Sequence, residues 1–182
     1  EIMPSLVGSE MCIRDRLKTE KPLVLDADGI NALSGHIDLL DARRGRPTVL
    51  TPHEVEFARI GGDLSRGDRE RAAQDFAMAH GCVLVLKGHR TITASPEGDV
   101  LVNTTGGSGL AKGGSGDILA GLTAGLLAAC LKQGRTPEDA AVCAVWLHGA
   151  AADRCAKRRS MTAMLPGDLF QDLGWILGEL GR

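Results

Sequence analysis

The chain has 182 residues, 43% of them hydrophobic and 24% charged, the balance of an ordinary globular domain with a usable core. A net charge of −2 gives neither a basic face for nucleic acid nor a polybasic anchor for a membrane surface. Aromatic residues make up 3%, with no Tyr, which excludes a base-stacking platform.

Residues 1–16 (EIMPSLVGSEMCIRDR) carry no hydrophobic period and are similar to translated sequencing-adaptor sequence. They are read as a non-family leader, with the domain running over 17–182. From Leu17 the pattern is alternating α/β. PLVLD at 22–26 reads as a buried parallel-type strand. Short helices suit 28–34 and 37–43, and a second strand suits 48–50. Thr51 is the expected N-cap of the next helix, with Pro52 at its first position and Glu54 three residues on. An amphipathic helix follows over 66–80, ended by Gly81. CVLVL at 82–86 is a third buried strand, and 90–94 with 99–102 form a hairpin around Pro96-Glu97-Gly98. Three helices follow, over 115–132, 136–157 and 166–180. The apolar stretch within the first, 118–131, is too short and too bounded for a membrane span.

Strands alternating with helices imply a mainly parallel sheet flanked by helices, whose ligands bind beyond the carboxyl ends of the strands. Three polar groups fall at such ends: Asp26-Ala27-Asp28, Thr51-Pro52-His53 and Lys87-Gly88-His89. The five cysteines (Cys12, Cys82, Cys130, Cys143, Cys155) form no C-x-x-C pair, so zinc and thioredoxin-like chemistry lack support. Cys82, Cys130 and Cys143 lie in apolar runs and are expected as small core residues, in a reducing cytoplasm.

The most informative stretch is NTTGGSGLAKGGSGD, 103–117, which places Gly106, Gly107, Gly109, Gly113, Gly114 and Gly116 ahead of a long apolar helix. Bare backbone N–H groups can approach a ligand there, and the helix start makes an anion site. Asp117, in the first turn, is placed to take a proton from a hydroxyl that attacks a bound phosphate. Lys112 stands between Ala111 and Gly113, so the Walker spacing is absent. Ser108 and Ser115 both fail the nucleophile-elbow spacing. A tight helix start with Asp117 as a capping acid accounts for the same residues without a ligand.

LDADGINAL at 25–33, TPHEVEFARI at 51–60, VLKGHRTIT at 85–93, the glycine loop and AVWLHGAAAD at 144–153 together resemble the nucleotide-dependent NAD(P)H-hydrate dehydratases, a ribokinase-like branch. The resemblance implies a ribokinase-like α/β fold, incomplete at its N-terminus because the family domain begins before LDADGIN. It implies ADP or ATP with Mg²⁺ as cofactors and hydrated NADH or NADPH as substrate. It also allows a homo-oligomer and an epimerase domain upstream in the intact protein. The implied reaction phosphorylates the ring hydroxyl of the hydrate and expels phosphate.

The same resemblance implies roles residue by residue. Asp117 is the catalytic base and touches substrate. Gly114, Ser115 and Gly116 supply N–H groups to the transferred phosphoryl. Lys87, Gly88, His89, Arg90 and Thr91 form the nucleotide-binding strand end, and His53 and Asn31 bind the hydrated cofactor, with Asp28 nearby. His53 also suits plain helix capping, Lys87 a solvated strand end, and Glu56 either Mg²⁺ placement or a solvated helix face. His148 is expected as a satisfied core or pocket-wall residue. No residue set is read as a protein metal site. The loop and Lys87–Thr91 are expected to serve one nucleotide. Two other functions use the same loop: a hydroxymethylpyrimidine- or hydroxyethylthiazole-type kinase, and a non-catalytic nucleotide-binding module.

Overall fold

The computed structural model describes residues 15–181; the expectation for 1–16 falls, apart from Asp15 and Arg16, outside the described residues. The chain divides into two compact units, one holding the residues up to Gly88 with Ile92–Leu101, the other His89–Thr91 with Val102 onward.

The first unit is built on a sheet of order β1-β2-β3-β4-β5. β1 (Leu23–Leu25), β2 (Thr48–Leu50) and β3 (Val83–Leu86) are parallel, with Leu25, Leu50 and Leu84 in register. β1 and β3 are continuous apolar runs and β2 opens on Thr48; β2 and β3 are buried along their whole length, as strands covered on both faces must be. β4 (Ile92–Ala94) runs antiparallel to β3, and β5 (Val100–Val102) follows a turn in which Gly98 adopts φ +99°. The expected hairpin is therefore present.

Beyond β1 the helices of this unit include α1 (Asp28–Asn31), α2 (Asp38–Asp41), α3 (Glu54–Arg59) and α4 (Arg69–His80). α4 starts three residues later than the pattern suggests. Gly67 takes φ +71°, and the Asp68 side chain accepts from the Arg71 N–H, which fixes the start there. Phe57 of α3 meets Phe76 of α4 edge to face at 5.2 Å, within a core that includes Leu25, Leu50, Leu84 and Leu86.

Arg43 is a deeply buried charge, at 1% exposure. Its guanidinium donates to the Thr48 hydroxyl (3.0 Å) and to the carbonyls of Leu17 (3.1 Å), Thr19 (2.6 Å) and Lys21 (2.9 Å). One side chain thus ties the segment before β1 to the start of β2. Burial draws its pKa below the usual arginine value.

The second unit is helical. A 3₁₀ turn at Ser108–Leu110 precedes α5 (Ser115–Lys132), α6 (Pro137–Arg159) and, after a second 3₁₀ turn, α7 (Leu169–Leu180). Thr136 and Asp139 form a reciprocal capping box at the start of α6, with Pro137 at the first position. Leu147, Ala151 and Cys155 of α6 pack with Met164, Leu169, Leu173 and Ile176. The buried Asp172 of α7 pairs with Arg158 at 2.7 Å and Arg154 at 3.7 Å.

Two expectations are corrected here. Cys143 is exposed and Cys130 half-buried, whereas Cys155 joins Cys82 in the interior; an apolar neighbourhood in sequence did not reveal which helix face each thiol occupies. α5 is also not short: at 18 residues it is long and apolar enough, by length and composition, to cross a membrane, and 22% of it is buried.

Candidate functional site

Residues from the three strand-end groups, all but His89, come together in the first unit. The Thr51 N–H donates to the Leu25 carbonyl, and the Lys87 N–H to the Pro52 carbonyl, extending the parallel ladder beyond β1–β3. His53 and Lys87 form the last bridge of that ladder. The Lys87 ammonium lies 2.7 Å from Asp26 and 3.8 Å from Glu56. The Thr51 hydroxyl donates to the same Asp26 oxygen at 2.8 Å. Lys87 thus sits between two carboxylates with little of its side chain exposed, rather than as the solvated lysine that a strand end allows.

Thr51 does not cap α3. His53 does: its Nδ1 accepts from the N–H groups of Val55 (3.1 Å) and Glu56 (3.3 Å), while Glu56 accepts from the His53 N–H at 2.8 Å. The sequence suggested Thr51 because Glu54 completes a capping-box spacing. The pull of Asp26 on the Thr51 hydroxyl moves the helix start two residues on. With Nδ1 used as an acceptor, the neutral imidazole carries its proton on Nε2, 3.5 Å from Glu56 Oε1. Glu56 is buried, so the solvated-face reading of it is set aside. Asn31, the last residue of α1, accepts from Arg59 at 3.0 Å, and Asp28 is exposed in the first turn of α1. Gly88 follows Lys87 in this unit.

His89, Arg90 and Thr91 belong to the second unit, where Arg90 holds a left-handed backbone (φ +57°) and the Thr91 carbonyl accepts from the Asn103 N–H at 2.9 Å. The glycine loop follows. Its start is held firmly: Gly106 donates to Asp153 at 2.9 Å. The Thr105 hydroxyl sits 3.1 Å from both the Trp146 carbonyl and the Asn103 side-chain oxygen. Farther along, Lys112 donates to the carbonyls of Thr162 (2.7 Å) and Met164 (2.5 Å). Neither contact was foreseen from the sequence. A glycine in the middle of α6, Gly149, was the available signal for a close backbone approach.

The end of the loop is open. Gly114, the N-cap of α5, is left-handed (φ +95°), and no side chain caps the helix. Ser115 is buried and its N–H donates to the Lys112 carbonyl at 3.2 Å. Gly116 and Asp117, the next two residues, lie in the first turn, where N–H groups have no intrahelical acceptor. Asp117 is exposed on that turn. An anion placed here would meet backbone donors, the helix dipole and one carboxylate.

His148 lies inside the second unit at 7% exposure, and its Nε2 has no hydrogen-bond partner among the described residues. It has the burial expected of a core or pocket-wall residue, with that one ring nitrogen left without a protein partner among the described residues. Burial pushes its pKa down to about 4, against a smaller opposing pull from the Ser115 backbone, so it is neutral near pH 7.

Among the described residues, no three His, Cys, Asp or Glu side chains converge as a metal site. Mg²⁺ suits such a setting when nucleotide phosphates supply most of its oxygens. The donors at the start of α5 fit the phosphates themselves.

The α/β fold is of the ribokinase-like class. A ribokinase-like protein from Enterococcus faecalis superposes with a TM-score of 0.75 at 26% identity, over 94% of this chain and 58% of that one. Residues 6–174 match the NAD(P)H-hydrate dehydratase family, and the chain belongs to it. The Bacillus subtilis ADP/ATP-dependent NAD(P)H-hydrate dehydratase, co-crystallised with ATP and Mg²⁺, gives a TM-score of 0.77 at 31% identity, covering 97% of this chain and 61% of that one. The chain is 46% identical over 160 residues to the bifunctional NAD(P)H-hydrate repair enzyme of Gloeobacter violaceus, spanning 87% of this chain and 30% of that protein. It is 40% identical over 169 residues to the ADP-dependent (S)-NAD(P)H-hydrate dehydratase of Neisseria meningitidis, spanning 90% and 56%. It thus spans between about a third and just over half of these curated relatives.

Proposed function

We propose that this protein restores hydrated NADH or NADPH by nucleotide-dependent dehydration. The observation that carries the reading is the open first turn of α5, where uncapped backbone donors and the exposed Asp117 share one helix end. The Asp117 carboxylate takes the proton of the hydrate's ring hydroxyl as its oxygen attacks the terminal phosphoryl of ADP or ATP. A P–O bond forms to that oxygen and the bridging P–O bond of the nucleotide breaks. The N–H groups of Gly114, Gly116 and Asp117 receive the charge that develops on the phosphoryl oxygens; the Ser115 N–H, bound to Lys112, adds to it only if that bond opens. The new phosphate ester is a good leaving group. The ring nitrogen lone pair expels phosphate, and loss of a proton from the adjacent carbon restores the ring double bond.

Mg²⁺, when bound with the nucleotide, neutralises phosphate charge. His89, Arg90 and Thr91 hold the nucleotide in this reading. The cytoplasm, where these cofactors turn over, is the proposed location, and the four described cysteines are unpaired there.

The test follows the absorbance of reduced nicotinamide on adding ADP or ATP with Mg²⁺ to hydrated NADH. Recovery of absorbance with release of inorganic phosphate is expected. Accumulation of a stable phosphate ester would point instead to a small-molecule kinase, and nucleotide binding without turnover to a binding module.

A further inference from the structure

The glycine loop does not rest on its own turns alone. Three residues on one face of α6, at i, i+3 and i+7, meet its first residues. The Trp146 carbonyl faces the Thr105 hydroxyl at 3.1 Å. Gly149 lies so close under Thr105 that an added Cβ would stand 2.7 Å from the Thr105 carbonyl carbon and oxygen. One turn on, the Asp153 carboxylate accepts from the Gly106 N–H at 2.9 Å. Gly106 itself holds φ +85°, and a Cβ there would come 3.1 Å from the Gly149 Cα. Two backbones are therefore in near contact, and one charged acceptor fixes the orientation of the peptide between Thr105 and Gly106.

We propose that Asp153 is a positioning residue for the phosphate-binding loop. Its carboxylate holds the Thr105–Gly106 peptide in the single orientation from which the loop runs on to the open first turn of α5. A half-buried carboxylate is suited to this because a charge-assisted bond to a backbone N–H is stronger than a neutral one. The bare Gly149 surface lets the loop come close enough to form it. The inference rests on the reading of the loop as a nucleotide site.

The test compares Asp153→Ala and Asp153→Asn with the unchanged chain, and uses Lys157→Gln, an exposed change on the same helix, as a control. Amide exchange of the 104–110 segment, binding of Mg·ADP by calorimetry, and far-UV circular dichroism are measured on each. Asp153→Ala is expected to speed exchange of Gly106 and weaken Mg·ADP binding by about tenfold or more, the scale of a lost charge-assisted hydrogen bond. Asp153→Asn keeps an acceptor oxygen and is expected to lose about threefold, at unchanged helicity. Lys157→Gln should do neither. Faster exchange with unchanged affinity would make Asp153 a structural tether and overturn the proposal, as would unchanged exchange. An unchanged chain that binds no Mg·ADP would overturn the nucleotide reading itself, and the positioning role with it. If Asp153→Ala loses its helicity, the Asn variant decides between these outcomes.

Discussion

At the strand ends of the first unit, Lys87 is shared between Asp26 and Glu56, Thr51 bonds Asp26, and both His53 and Glu56 are occupied in capping α3. At the glycine loop of the second unit the pattern is reversed from one end to the other. The start is tied by Asp153, Trp146 and Asn103, while the far end, at Gly116 and Asp117, carries backbone donors and a carboxylate with no capping side chain. Polar groups that answer one another hold a shape. Polar groups left open beside a rigid helix are available to a ligand. Residue type alone does not separate the two, since both regions are rich in the residues associated with active sites.

The sharpest way to break this contrast is Asp117→Asn. Removing a general base costs about 10²–10⁴-fold in rate, so turnover of hydrated NADH should fall by that much while ADP affinity, set by backbone donors, stays within a few-fold. Near-normal turnover would take Asp117 out of the chemistry. Arg43→Leu probes the opposite extreme, a polar group whose role is purely architectural. It strands the Leu17, Thr19 and Lys21 carbonyls and the Thr48 hydroxyl, and should cost about 3 kcal/mol or more in a urea melt. A loss well below ~1 kcal/mol would mean that water replaces those bonds at little penalty.

His148 gives a pH test of comparable size. Its pKa falls from 6.5 in the unfolded chain to about 4 in the folded one. Above pH 6.5 both states are neutral and stability is full. Between pH 6.5 and about 4 only the unfolded state takes up the proton, so stability falls as pH falls, by roughly 3 kcal/mol in all from this group. Denaturant midpoints across that window should slope less in His148→Gln than in the unchanged chain; parallel slopes would contradict the burial. The smallest effect is at the α3 cap: His53→Ala should lower stability by about 1 kcal/mol, and a melting temperature indistinguishable from the parent would show that the cap is dispensable.

Much of this was readable from the chain. β2 and α5 fall on the residues expected, and for α5 the glycine-to-helix junction is a local signal. The strand-end clustering followed from α/β alternation, and the family from its strings. What escaped was decided by partners distant in sequence. Thr51 looked like a cap until Asp26, 25 residues earlier, claimed its hydroxyl. Arg43 drew no reading of its own, since nothing local shows three carbonyls from 17–21 converging on it. Asp153 was part of a recognised string, yet its work lies 47 residues back, at Gly106. Lys112 appeared as a misplaced Walker lysine, and its true partners come 50 residues later.

That lysine has a consequence for how the loop would respond to ionic strength. With its ammonium shared between the carbonyls of Thr162 and Met164, Lys112 would have to give up two hydrogen bonds to reach a phosphate. While those bonds hold, the loop's own grip on an anion comes from backbone dipoles at hydrogen-bond range. Salt screens attraction between separated charges over a Debye length of about 8 Å at physiological strength, but it has little purchase on donors already in contact. This part of a phosphate complex is expected to persist at salt concentrations that would empty a cleft lined by free lysines.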